Sequence, residues 1–278
     1  MRILLFVISI FLVNQSGAQT LEGKILSVDT ALATAQFQTN KELKTIQLLP
    51  GDVAINWSQT IVKCILVQNQ GAIRADLIFP ADPEELRLVA EVTDALRRDT
   101  VERGRIVSRG ANDLMPPMAL WNQNGKLLFK KDFLGHPLAI NFIFTHCRNA
   151  QMCPASTQCM KRLAEELDKS PQLANVKLIS VSFDPQNDSP GILNTYARGY
   201  GINSARHHFL TGDANQIKDL MRQYGILTTQ SDGTIIHNAA LVIVSPEGRI
   251  IHRREGAQFD PVDVADYLLK LNQVSPAK

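Results

Sequence analysis

Leu138-Ala-Ile-Asn-Phe-Ile-Phe-Thr145, followed at once by His146-Cys147 and then by Met152-Cys153-Pro154, is the stretch on which the fold turns. Its first eight residues are almost continuously apolar, which marks a strand covered on both faces. Cys147 ends that strand, and Cys153 stands directly before a proline suited to the first turn of a helix. That helix is predicted from Pro154 to Leu167. A second buried strand follows at Val176-Lys-Leu-Ile-Ser-Val-Ser-Phe183, and a third at Asn238-Ala-Ala-Leu-Val-Ile-Val-Ser245.

Outward from this centre, Leu120 to Phe129 reads as a hairpin around Asn124-Gly125, and helices are predicted at about 189–200, 214–224 and 261–271. Arg249 to Arg254 pairs back onto the third buried strand across Pro246-Glu-Gly248. Strands alternating with helices and closing on a hairpin and a helix make an α/β, thioredoxin-like layout for residues 113–278. Upstream, Leu86, Val89, Val92 and Leu96 share one helical face behind Pro83, Glu84 and Glu85, opening a helical linker over 83–112. Residues 19–82 form a small β-rich module, a barrel or a sandwich, in which Pro50-Gly-Asp52 reads as a turn and Gly71 as a bend. Its opening and the Leu49-Pro-Gly-Asp52 stretch resemble small β-barrel copper-binding modules of exported proteins. Those carry Met-rich ligand segments, whereas residues 21–80 contain no Met, so the module reads as structural or docking.

The chain has 278 residues, 45% hydrophobic and 20% charged, with 29 basic side chains against 27 acidic. This is globular composition and excludes disordered, collagen-like and disulfide-dense miniprotein classes. A net charge of +2 gives no electrostatic footprint for nucleic acid or an anionic membrane. Arg2, the apolar run Ile3 to Val13 and the small residues Ser16 and Ala18 describe a secretory signal over 1–18. The run is shorter than the roughly twenty residues a bilayer span needs. The mature protein is expected to start near Gln19 and to be exported, periplasmic or membrane-associated on the outer face, where cysteines can form disulfides.

Of the four cysteines, Cys147, Cys153 and Cys159 fall within thirteen residues, which suggests a site more than a staple. Functional groups of open α/β sheets collect at the carboxyl ends of strands, where Cys147 lies. Cys153 at a helix N-terminus is expected to have a lowered thiol pKa. The five residues between them leave slack for the sulfurs to meet, as a disulfide or as chelators of one soft ion. Cys64, in an apolar stretch, reads as a buried small hydrophobe, and Cys159 as a packed thiol turned away from Cys153.

Phe142-Ile-Phe-Thr-His-Cys147 with Met152-Cys-Pro154 resembles the paired-cysteine motif of the Sco/SenC family, exported thioredoxin-like copper chaperones. The resemblance runs over roughly residues 110–272 and includes Val181-Ser-Phe-Asp-Pro185, Asp188-Ser-Pro190 and Asp232-Gly-Thr-Ile-Ile-His237. It implies copper held by two thiolates and one imidazole, which fall on Cys147, Cys153 and His237. It further implies delivery of copper to, or maintenance of the thiols of, the CuA site of cytochrome c oxidase. The partner would be the subunit carrying that site or another copper protein. The commonest motif has three residues between the cysteines; this chain has five. Thiolates suit cuprous copper, and imidazole accepts either oxidation state. His237 is expected to open the third buried strand, after a turn at Ser231-Asp-Gly233.

Asp184, at the end of the second buried strand, can hydrogen-bond a ligand or simply form an Asp-Pro turn. Asp188-Ser-Pro190 reads as a helix N-cap. His146 is expected to face away from the site, one of His207 and His208 to point inward, and Met115 and Met118 to pack. The rival readings are an exported thiol-disulfide oxidoreductase or thiol peroxidase, and an interaction module with a structural disulfide. The C-x5-C spacing does not match the C-x-x-C of thioredoxins. His237 separates the readings, since neither exchange nor a staple needs an imidazole there.

Overall fold

Alternating strands at the N-terminal end close into a barrel in the computed structural model, which describes residues 19–69, 71–202, 205–231 and 234–274. The expected signal segment, 1–18, lies outside the described residues. β1 (Gln19–Asp29), β2 (Thr34–Gln38), β3 (Leu43–Gln47), β4 (Thr60–Asn69) and β5 (Ala72–Pro80) pair in the order β1-β2-β3-β5-β4, and β4 returns to β1. This is a five-stranded Greek-key barrel of the OB type, closed so that no edge is exposed. Ile25, Phe37, Ile46, Val62, Cys64 and Ile78 fill it. Burial pushes the Cys64 thiol up to about 12, so it stays protonated in the core. The Leu-Pro-Gly-Asp stretch is not a simple turn. Pro50–Ile55 is a short helix, α1, started by the fixed φ of Pro50 and ended by Asn56 in the left-handed region.

α2 (Pro83–Arg103) begins at Asp82, whose carboxylate accepts from the backbone N–H groups of Glu84 and Glu85. It covers the first two thirds of the 83–112 linker and ends at Gly104. Beyond it lies a seven-stranded sheet of order β14-β13-β8-β9-β10-β6-β7. Its strands are β6 (Ala119–Asn122), β7 (Leu127–Phe129), β8 (Leu138–Ile143), β9 (Lys177–Ser182), β10 (His207–Thr211), β13 (Ala240–Val244) and β14 (Ile250–Glu255). β11 (Thr228–Ser231) and β12 (Thr234–His237) form a separate hairpin. β8, β9 and β10 are parallel, so α3 (Cys153–Leu167) and α4 (Pro190–Gly199) cross over between them. α3 and α6 (Pro261–Val274) bury Met160, Leu163 and Leu268 on one face, against Leu178, Leu241 and Ile243. α4 and α5 (Ala214–Gln223) bury Leu193, Ile217 and Leu220 on the other, against Phe142, Val181 and Phe209. Every residue of β8 is therefore buried, including Asn141, whose amide donates to Ser156 and accepts from Ser180. Met115 and Met118 pack in the same core.

Two glycines fasten the barrel to this domain. A Cβ on Gly51 of α1 would lie 1.8 Å from the carbonyl oxygen of Gly191 in α4, so no larger residue fits. Trp57 packs on Gly125, at φ +71 in the β6–β7 turn, where a Cβ would come within 2.4 Å of the indole. Between these contacts Asp52 is fully buried. Its Oδ1 accepts from Trp57 Nε1 at 2.9 Å, and its Oδ2 has no partner. Burial pushes this carboxyl up to about 7; the Trp57 bond opposes the rise and nearby Asp76 adds to it.

Folded Asp52 thus keeps its proton to higher pH than in the unfolded chain, where it titrates near 3.8. Stability tied to it is present below about pH 4 and is lost as pH rises through about 7. Asp52→Asn keeps the Trp57 acceptor and removes the titration. Its stability relative to wild type should improve by about 2–4 kcal/mol between pH 4 and pH 8, read by urea unfolding at both. Parallel pH profiles would show that Asp52 is ionised in the fold. Gly51→Ala should cost about 2–3 kcal/mol at either pH, since backbone must move.

Candidate metal centre

β8 ends at Ile143, and Phe144-Thr145 lead into the loop that carries the cysteines. The five residues between them make a compact turn around Asn149. Asn149 Oδ1 accepts from the Gln151 N–H, and its carbonyl accepts from the Met152 N–H and, at 3.8 Å, from Cys147 Sγ. The helix starts one residue before the predicted Pro154, with Met152 at the N-cap and Cys153 in the first turn. Cys147 is half-buried and Cys153 is 1% exposed. Burial pushes the Cys153 thiol far above its ordinary range, outweighing backbone hydrogen bonds at Phe144 and Cys153; Cys147 alongside adds to the rise. The lowered thiol pKa expected from the helix N-terminus is overturned here, because desolvation penalises the thiolate more than the helix end favours it.

His237 does not open the third buried strand. It is the last residue of β12, in the hairpin outside the main sheet, and β13 begins only at Ala240. Asn238 pins that hairpin. Its Oδ1 accepts from the Leu227 N–H at 2.7 Å, and its Nδ2 donates to the Gly225 carbonyl at 3.1 Å. Its own carbonyl accepts from His237 Nδ1 at 2.8 Å. A carbonyl only accepts, so Nδ1 carries the ring proton and Nε2 keeps its lone pair. Nε2 lies 3.4 Å from Cys153 Sγ. The ligand atoms of Cys147, Cys153 and His237 all fall within 4.8 Å of one another. The rings of Phe183 and Phe144 pack beside the imidazole, with centroids 4.7 and 5.8 Å away. Burial lowers the His237 pKa against the Asn238 hydrogen bond, which favours the neutral, metal-ready ring. A neutral imidazole and two thiols in one pocket are a soft donor set.

Asp188, which the sequence suggested only as part of an N-cap, holds the cysteine loop. Its fully buried carboxylate accepts from the Thr145 N–H and hydroxyl and from the Ser182 hydroxyl. The cap of α4 is Ser189, which accepts from the Ile192 N–H. Asp184 forms its own turn instead of reaching the site. Its carboxylate accepts from Asn187 Nδ2 at 3.0 Å and, among the described residues, takes no hydrogen bond from either cysteine or His237. In one sequence nothing distinguishes a buried Asp from an exposed one, so only the spacing Thr145 to Asp188 in three dimensions could reveal its role.

The remaining candidates stand apart. His146 is exposed, with Nδ1 3.2 Å from Thr145 Oγ1. His207 is fully buried and meets Ser180 Oγ at 2.9 Å, and burial pushes it down to about 3. His208 packs edge-on to Phe133 and is pushed down to about 4. Cys159 packs against the α3–α6 core. Among the described residues, Cys147, Cys153 and His237 are the one group of such side chains converging at ligand distance.

The SCO1/SenC family model matches residues 107–272. The chain belongs to this family. The SCO1 protein homolog of Bacillus subtilis is 27% identical over 164 residues, 58% of this chain and 83% of that protein. The mitochondrial SCO2 homolog of Danio rerio is 28% identical over 162 residues, 56% of this chain and 55% of that protein. The chain thus spans about half the length of the vertebrate mitochondrial relatives it matches. Among solved structures, BsSco, a member of the Sco family of cytochrome c oxidase assembly proteins with a disulfide switch, superposes at a TM-score of 0.53 and 25% identity, covering 62% of this chain and all of that one. Arabidopsis thaliana ScoI, solved with copper bound, shares the fold at a TM-score of 0.52 and 21% identity, covering 59% of this chain. Sco proteins are thioredoxin-like, as the strand–helix alternation implied. The barrel and α2 lie outside the matched residues.

Asp188→Ala should cost about 2–4 kcal/mol, because it strands buried donors of Thr145 and Ser182, while Asp184→Ala should cost under about 1 kcal/mol. Chemical denaturation of both variants checks the contrast. Equal losses would refute the assignment of the loop's anchor to Asp188.

Proposed function

We propose that this SCO1/SenC protein takes copper as cargo on Cys147, Cys153 and His237. It passes that copper to the CuA site of cytochrome c oxidase, or keeps that site's thiols reduced. One observation carries the reading: His237 Nε2 faces the cysteine pair unprotonated, because Nδ1 carries the ring proton to the Asn238 carbonyl. A disulfide reductase or a staple has no use for that imidazole, whereas a copper site does. The same sulfurs lie within 4.8 Å of each other, which keeps thiol exchange as the second chemistry of the pair. Residues 1–18 serve as an export signal in this reading, so loading and transfer take place on the outer face. No helix among the described residues is long and apolar enough to cross a membrane.

The pocket's burial sets the order of events. The Cys153 thiol is protonated at neutral pH, and cuprous copper must displace that proton to bind the thiolate. His237 has no proton to lose at Nε2, since Nδ1 carries the ring proton. Phe144 and Phe183 pack against the ring, which is half-buried.

His237→Ala should weaken cupric binding by on the order of a hundredfold and cuprous binding much less, since two thiolates still hold the softer ion. Its Cys147–Cys153 disulfide should still form and reduce. Cys147→Ser or Cys153→Ser should abolish both copper binding and disulfide cycling. Competition titrations of reduced protein with each copper ion, beside a reduction-potential measurement, test this. An alanine variant that binds both ions like wild type would remove His237 from the site. Wild-type protein that binds neither ion yet cycles its disulfide would favour the oxidoreductase. Cuprous affinity should also rise about tenfold per pH unit for each proton displaced, over pH 6 to 8; a flat profile would mean that the thiolates are preformed.

A further inference from the structure

His146 stands at the bend of the loop that leads to Cys147. The Cys147 N–H donates to the Phe144 carbonyl at 3.4 Å, so the chain turns back with Thr145 and His146 at its two corners. The imidazole projects from that turn with its side chain 67% exposed, yet it is anchored. Its Nδ1 lies 3.2 Å from Thr145 Oγ1 and 3.9 Å from Asp188 Oδ1.

The direction of the Thr145 bond follows from the proton count. A hydroxyl has one proton, and Thr145 donates it to Asp188 Oδ1. Towards His146 that oxygen can only accept, so Nδ1 carries the ring proton and Nε2 is unprotonated. The Asp188 carboxylate beyond Thr145 attracts the Nδ1 proton and favours the same tautomer. Among the described residues, no hydrogen bond reaches Nε2. The buried Asp188 thus fixes, through Thr145, an exposed nitrogen donor one residue ahead of Cys147.

The donors around the pocket differ in how readily an arriving cuprous ion reaches and binds them. Cys153 is buried, and Cys147 and His237 are half-buried. A thiol has to shed a proton to ligate, and at neutral pH an ordinary thiol holds it. His146 is exposed and has no proton to lose at Nε2. It stands outside the group of Cys147, Cys153 and His237, whose ligand atoms lie within 4.8 Å of one another, so it is not a ligand of the closed site.

We propose that His146 is the handover ligand of the copper site, taking the cuprous ion from its carrier and passing it to Cys147. This role rests on the copper reading above and adds to it the residue that governs the rate of exchange. His146 Nε2 bonds to the ion as a carrier ligand leaves with its own electron pair. Cys147 then gives its proton to water and bonds through sulfur. The His146 bond breaks as Cys153, losing its proton in turn, and His237 complete the set. One cuprous ion enters, two protons leave to water and no electron moves. An imidazole suits the passing role, because a thiolate is the softer donor and displaces it from a cuprous ion. His146 touches the ion only in passage, so it alters loading and release alike and leaves the affinity as it is.

The test follows cuprous ion from its bicinchoninate complex into full-length, reduced protein by stopped flow, reading the loss of that complex's colour. His146→Ala removes the imidazole. His146→Asn keeps an amide donor where Nδ1 stood, so the Thr145 bond survives, but it has no nitrogen in place of Nε2. Both variants should reach wild-type copper content and affinity at equilibrium, with loading and release each slowed about tenfold. A His146→Asn protein that loads as fast as wild type would overturn the proposal and leave His146 as a brace for the turn. So would wild-type rates in both variants, or a loss of equilibrium affinity that matches the loss of rate. Wild-type protein that takes up no cuprous ion would overturn the copper reading itself, a failure that the metal content of the unmutated protein identifies.

Discussion

Asp188, shut away from solvent, gathers the carboxyl ends of three parallel strands, two through its carboxylate and one through its backbone carbonyl. Thr145 just beyond β8 and Ser182 at the end of β9 donate to its oxygens, and Thr211 at the end of β10 donates to its backbone carbonyl. Burial raises its pKa, and the Thr145 and Ser182 donors pull it back. Such a group is tolerable inside a protein only while every one of those donors stays in place. The arrangement therefore locks the strand ends to one another, and Cys147, two residues beyond Thr145, inherits its position from that lock.

The three donor residues reach the pocket on elements of different kinds. Cys153 rides in the first turn of α3, Cys147 on a turn organised by Asn149, and His237 at the end of a hairpin pinned by Asn238. The pocket's low polarity acts on them in opposite senses: it raises the thiol pKa of Cys153 and lowers that of His237. Both shifts favour the uncharged form of these two side chains. A cation entering the pocket reverses the balance, because its own charge stabilises the thiolate that burial had penalised.

α4 links this pocket to the barrel. Its first turn follows Asp188 and Ser189, while Gly191 in the same turn receives Gly51 and Asp52 of α1. A backbone contact as close as that between Gly51 and Gly191 leaves no room for sliding. The barrel is thus seated on the very helix whose start anchors the cysteine loop.

The sequence by itself determined what local pattern can encode. The unbroken apolar run of β8, the proline after Cys153 and the strand–helix alternation were enough for the α/β layout, the crossover helices and the pairing of the cysteines with a helix start. The motif around Cys147 and Cys153, together with His237, was legible as a donor set through its likeness to Sco/SenC proteins. Only the tertiary structure decided the rest. His237 lies 84 positions from Cys153, and its place at the end of a separate hairpin depends on Asn238 reaching Leu227 and Gly225. Asp188 and Asp184 look alike in sequence, yet one is sealed under three strand ends and the other turns outward to Asn187. The thiol of Cys153 was judged from its helix end, a local feature, whereas its pKa is governed by how much of the fold closes over it. Burial and long-range hydrogen bonding are properties of the assembled chain, and no window of neighbouring residues contains them.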